Sequence, residues 1–170
     1  MKERIHVRVI RLQQNRAFRR LAKYLLTLWC IDIPPEVQIG SDLHLEHHGF
    51  GVVINPNSRI GDGVTIYHNV TIARTDSWRS LLTETLPIEI GDDVVLCPGT
   101  VVLGGADGLS IGRGTVIGAN STLRCSTGEW EVWAGSPARK VGSRRVAQTE
   151  MQGLVSVKKG IMPPTESNGG

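Results

Sequence analysis

Aliphatic residues recur on a six-residue beat through most of this chain: Ile39, Leu45, Ile54, Ile60, Ile66, Ile72, Ile90, Leu96, Val102, Ile111, Ile117 and Leu123. Most steps are six residues; Leu45 to Ile54 and Val102 to Ile111 are nine, and Ile72 to Ile90 is eighteen. Two positions before each member stands a second apolar or small residue: Val37, Leu43, Val52, Ser58, Val64, Val70, Ile88, Val94, Thr100, Leu109, Thr115 and Ser121. Side chains alternate along a strand, so residues two apart point to one side. Gly, Asn or Asp usually follows, as in Ile60-Gly61-Asp62-Gly63 and Ile111-Gly112-Arg113-Gly114, and these types suit sharp corners. A short strand and a corner, repeated, predict stacked coils that bury one continuous ladder, an all-β solenoid. Such a beat cannot make a helical stripe, and the regular hairpins of a sandwich would not keep it so strictly.

The flanks follow other rules. Val7, Ile10, Ala17, Leu21, Leu25 and Leu28 fall near helical spacing, which predicts one or two amphipathic helices within residues 3–29. After Gly142 the beat stops. Residues 143–170 are polar and end in Ser-Asn-Gly-Gly, so part of this tail is expected to be mobile. The expected organisation is a basic helical segment over 1–31, the repeat domain over 32–142 with an excursion at 73–86, and the tail over 143–170.

Charge sharpens the picture at the N-terminus. Residues 1–31 hold eight Lys or Arg and one acid, Glu3, against eleven basic and fifteen acidic residues in the remainder. This reads either as a helix packed on the repeat with a solvated basic face, or as docking to an anionic membrane surface or a polyanionic acceptor. Scarce aromatics and the lack of a recognised motif argue against nucleic-acid binding. No apolar run is long enough for a transmembrane helix, and the N-terminus lacks the pattern of a signal peptide. Cys30, Cys97 and Cys125 are odd in number and widely spaced, which fits reduced thiols and a cytoplasmic location.

Two segments carry candidate chemistry. Leu45-Glu46-His47-His48-Gly49-Phe50-Gly51-Val52-Val53-Ile54 interrupts the beat by three residues with adjacent histidines in a glycine-rich bulge. Histidine titrates near neutrality and suits a general base. His68 follows Ile66 by two, as His47 follows Leu45, so those two are expected to stack one coil apart. Trp133-Ala134-Gly135-Ser136-Pro137-Ala138-Arg139-Lys140-Val141-Gly142 ends the repeat with small residues followed by cations.

Taken together, the hexads, the histidine bulge and the closing segment resemble the hexapeptide-repeat acyltransferases over residues 31–142. The likeness is to the serine acetyltransferase branch and its polysaccharide O-acetyltransferase relatives. It implies a left-handed parallel β-helix, usually a homotrimer with active sites between subunits, and acetyl-CoA as the acyl donor. The family's histidine precedes a Gly by three positions; counting back from Gly51 selects His48, whereas counting forward from Leu45 selects His47. The downstream match is the tighter and favours His48. Asp32, in Asp32-Ile33-Pro34-Pro35, resembles the acid that orients this base. The closing segment resembles the family's coenzyme A contact, which implies donor binding by Gly118, Ala119, Ala134, Gly135, Pro137, Arg139 and Lys140. Arg144 and Arg145 are further candidates for its phosphates.

The acceptor is where the likeness fails. Serine acetyltransferases carry an Arg-His pair before the Pro that resumes their repeat, and here Thr85-Leu86-Pro87 stands. They also have a large N-terminal helical domain, against about thirty residues here. The expectation is therefore an O-acetyltransferase acting on a sugar hydroxyl in polysaccharide biosynthesis, with His47, His68, Arg74, Asp76 and Trp78 near the acceptor. Serine O-acetylation is the alternative, and a noncatalytic trimeric scaffold is the rival from another class. Carbonic anhydrases of similar fold need three converging histidines for a metal; no third ligand can be assembled here, so no metal is expected.

Overall fold

The computed structural model describes residues 5–13, 15–75 and 86–144. Two helices, α1 (Ile5–Leu12) and α2 (Arg19–Leu28), precede a series of short strands. These run β1 (Gln38–Ile39), β2 (His44–Leu45), β3 (Val53–Ile54), β4 (Ser58–Ile60), β5 (Thr65–Ile66) and β6 (Thr71–Arg74). Then come β7 (Ile88–Ile90), β8 (Val95–Leu96), β9 (Val101–Gly104), β10 (Leu109–Ile111), β11 (Val116–Ile117) and β12 (Thr122–Leu123). The last two are β13 (Glu131–Gly135) and β14 (Ala138–Ser143).

Each strand from β1 to β9 pairs in parallel with the strand three places later. The result is three sheets, β1-β4-β7-β10, β2-β5-β8-β11 and β3-β6-β9-β12, visited in rotation. β13 adds to β11 in parallel and then turns back through β14, the antiparallel member of the sheets. This reversal caps the second sheet where the beat ends.

Burial follows the two sequence ladders. Every beat residue is buried except Ile39, which is partly buried in the first circuit, and the whole preceding series from Val37 to Ser121 is buried. Each fully buried Leu, Ile or Val contributes about 1.5–3 kcal/mol, so this ladder dominates the apolar stabilisation. The hydroxyls that replace aliphatics in the last circuits find backbone partners. Thr100 Oγ1 donates to the Gly118 carbonyl at 3.1 Å, and Thr115 Oγ1 donates to the Gly128 carbonyl at 2.8 Å. Corners at Asn69, Gly99 and Asn120 are left-handed and fall at matching positions in successive circuits.

The helical segment departs from the expected stripe. Val7 and Ile10 of α1 are buried as predicted. In α2 the buried residues are Ala22 and Leu26, while Leu21 and Leu28 face out and Leu25 is only partly covered; Ala17, in the link between the helices, is exposed. The apolar arc of α2 is wider than the face that packs, so periodicity alone selected its other edge. Arg11 and Gln13 tie α1 down by donating to the carbonyls of Gly40 and Ile33, both at 2.9 Å. The tail beyond Arg144 and most of the 73–86 excursion lie outside the described residues.

Candidate active site

The three-residue insertion after Leu45 forms the corner between β2 and β3. Glu46–Gly49 make a tight turn in which His47 and His48 both adopt left-handed angles, with φ of 50° and 64°. Two successive non-glycine residues in that region are unusual and point to a constrained corner. The turn closes through Val52 N–H to the Gly49 carbonyl at 3.1 Å and Gly51 N–H to the Cys30 carbonyl at 3.0 Å.

This geometry sends the two histidines apart. The His47 ring meets His68 edge-on at 4.9 Å between centroids and lies 6.0 Å from Tyr67. The stacking of His47 on His68 is as the spacing predicted. His48 turns toward the helical segment, 4.9 Å from His6, which in turn packs edge-on against Trp29 at 4.4 Å. His6, Trp29 and Tyr67 were not singled out in the sequence. Only His6 left a signal there, a polar residue inside the buried stripe of α1.

Strand register extends the His47 position along the stack. Leu45, Ile66, Leu96, Ile117 and Trp133 are in register. Two residues beyond each stand His47, His68, Pro98, Ala119 and Gly135. One corner column therefore carries the histidine pair at one end and two of the expected donor contacts at the other. Adjacent strands lie about 4.8 Å apart, so four steps span roughly 19 Å. The far end is bare: Ala119, Gly135, Ser136 and Pro137 are exposed and small. Gly118 fits tightly, because a Cβ there would meet Ala134 Cβ at 3.2 Å. Cys97 sits beside this column half-buried, and burial pushes its thiol pKa up, away from a nucleophilic thiolate.

The cations of the closing segment differ from one another. Lys140 Nζ donates to Glu131 Oε1 at 2.7 Å, and the Trp133 indole donates to Glu131 Oε2 at 2.8 Å. Those two bonds hold the Glu131 carboxyl below its ordinary pKa, Lys140 contributing most. Arg144 is committed to the fold through the carbonyls of Asp93 and Gly114 and lies over the Trp130 ring. Arg139 is exposed and bonds only its neighbour's carbonyl, Ala138, among the described residues. It is the cation most available to an incoming phosphate.

Other expected residues are placed elsewhere. Asp32 bridges in parallel to Val53 at the head of the third sheet. Its carboxylate is exposed at a cleft of about 290 Å³ beneath α2, lined also by Arg19, Lys23, Thr27 and Glu36. Among the described residues it makes no hydrogen bond to either histidine. Arg74 ends β6, remote along that strand from the corner, and its guanidinium donates to the Leu86 carbonyl at 3.4 Å. Asp76 and Trp78 lie outside the described residues. No group of three or more His, Cys, Asp or Glu among the described residues is placed to hold a metal ion.

No family model matches the chain. It is 39% identical over 121 residues to a serine acetyltransferase of Staphylococcus xylosus, covering 70% of this chain and 52% of that protein. It is 35% identical over 130 residues to the serine acetyltransferase of Helicobacter pylori strain 26695, covering 76% of this chain and 70% of the relative. The chain thus spans about half the length of the first relative and over two thirds of the second. Among solved structures, the serine acetyltransferase of Brucella abortus strain S19 in complex with coenzyme A superposes with a TM-score of 0.66 at 26% identity. That match covers 81% of this chain and 54% of the other. Sequence likeness over most of the Helicobacter protein, and a shared fold over most of this chain, lead to one conclusion: the chain belongs to the serine acetyltransferase family of hexapeptide-repeat acyltransferases.

Proposed function

We propose that this chain is an acetyl-CoA-dependent O-acetyltransferase whose acceptor is the hydroxyl of L-serine. The relatives' names favour serine, the alternative of the sequence reading, over the sugar acceptor it placed first. In this reading the three rotating sheets are a left-handed parallel β-helix. The protein works in the cytoplasm as a homotrimer, with the histidine corner facing a neighbouring subunit. Coenzyme A bound to the Brucella relative supports acetyl-CoA as the donor.

The observation that carries the mechanism is the corner column. His47 stands on it with His68, in line with Ala119 and Gly135, whereas His48 is turned onto α1. We therefore assign the general base to His47, the choice obtained by counting forward from Leu45. The donor's pantetheine arm runs along the bare strip at Ala119, Gly135 and Pro137, with Arg139 at its phosphates. The imidazole takes the hydroxyl proton as the serine oxygen attacks the thioester carbonyl. The carbon–sulfur bond then breaks, and the imidazolium returns the proton to the departing thiolate, giving O-acetylserine and free coenzyme A. No covalent acyl-enzyme is required. Asp32 remains our candidate for the orienting carboxylate, because catalytic hydrogen bonds are often formed only in the substrate complex.

A sugar hydroxyl is the second reading, favoured by Leu86, which is 60% exposed where the resemblance places a histidine. An acceptor panel separates the two. Purified protein with acetyl-CoA is offered L-serine or a series of sugars and nucleotide sugars, and products are identified by mass. O-acetylserine as the dominant product is expected; acetylated sugar with no O-acetylserine would overturn the serine assignment.

A further inference from the structure

The helical segment presents an apolar face that the rest of the fold leaves uncovered. Of the ten large hydrophobic side chains exposed among the described residues, six belong to it: Ile5, Leu12, Phe18, Leu21, Tyr24 and Leu28. Around α2 three sectors follow one another. Ala22 and Leu26 pack inward, Arg19, Lys23 and Arg20 come next, and Leu21, Tyr24 and Leu28 form the outer apolar sector. Those last three are 55%, 64% and 62% exposed, far more than a helix buried on its own fold would leave.

The charge beside this face has one sign. No Asp or Glu occurs from Arg4 to Ile31. Arg19 and Lys23 line the same cleft as Asp32 and Glu36. Arg8, Arg16 and Arg20 are exposed and enter no ion pair among the described residues.

We propose that this face docks on an anionic lipid surface. The apolar sector would enter the boundary between headgroups and acyl chains, while the flanking arginines meet lipid phosphates. α2 has ten residues and no described helix is long and apolar enough to cross a membrane, so the segment lies in the interface. A second copy meeting this face with its own across a twofold axis would bring an equally acid-free cationic flank against the first, and solution mass tests any other contact between copies. The inference does not rest on the acyl-transfer reading.

Vesicle sedimentation of the full chain tests it, using phosphatidylcholine with and without phosphatidylglycerol. Binding to anionic vesicles is expected to exceed that to neutral ones by at least about tenfold and to weaken with added salt. The Leu21→Glu/Leu28→Glu variant is expected to lose binding while keeping its circular dichroism, melting temperature and solution mass. Arg16→Glu/Arg20→Glu is expected to lose the anionic preference. Failure to bind anionic vesicles, or unchanged binding by the leucine variant, would overturn the proposal. A fall in solution mass of the leucine variant would also overturn it, by showing that another copy covers the face.

Discussion

At the residue scale, the proposed mechanism turns on which of two adjacent histidines acts as the base. Motif counting favours His48, because the glycine and the aliphatic triplet downstream match more tightly. One extra residue between Leu45 and Gly51 makes that count ambiguous by one, and the decision lies in backbone angles that a sequence does not print. With both residues left-handed, successive side chains diverge, one along the corner column and the other onto His6. Lys140 shows the same limit. Its place in the closing segment was legible, but its engagement with Glu131 required the hairpin register that brings positions nine apart together. This pair also yields a pH prediction. The Glu131 carboxyl is held below its ordinary pKa by Lys140 and then by the Trp133 indole, so the folded state takes up this proton less readily than the unfolded chain. The resulting stabilisation is complete above the ordinary glutamate range and is lost as pH falls through the depressed value. Lys140 is 54% exposed, so the contribution is at most about 1 kcal/mol. Glu131→Gln should lower the melting temperature at neutral pH, and the gap to wild type should close below about pH 4. A gap independent of pH would show that the carboxylate does not act through its charge.

At the scale of the elements, the inward ladder was readable because a strand's alternation and a six-residue circuit leave little freedom about which side chains point in. Glycine corners were readable for a related reason: adjacent circuits approach until no Cβ fits. At Gly112 a Cβ would meet the backbone of Gly128 and Glu129 in the next circuit, which cannot move aside as a flexible side chain can. Gly112→Ala should therefore destabilise the fold by about 1–3 kcal/mol in denaturant unfolding, with little change in the slope. An unchanged midpoint would mean that the end circuit relaxes freely. The face of α2 was less readable. Its apolar arc spans both the buried and the exposed sectors, and only contact with the first circuit selects Ala22 and Leu26. The reversal into β14 was not foreseen either, because a loss of beat does not state the direction in which the chain leaves.

On the scale of the whole molecule, the three rotating sheets bring together residues that sequence separates. The corner column joins His47 to Gly135 across most of the repeat domain, and the helical segment rests on the first circuit beside the same corner. The acceptor was the least legible feature, since the beat does not encode the excursion at 73–86, where the sequence departs from the serine acetyltransferase pattern at Thr85-Leu86-Pro87. Steady-state release of coenzyme A from acetyl-CoA and L-serine by the wild type, His47→Ala and His48→Ala tests the identity of the general base most directly. Removing a general base costs about 10²–10⁴ in rate. We expect that loss in kcat for His47→Ala, with coenzyme A binding and melting temperature preserved, and a much smaller loss for His48→Ala. The reverse ranking, or serine-dependent turnover that survives in His47→Ala, would contradict the assignment of the base to the corner column.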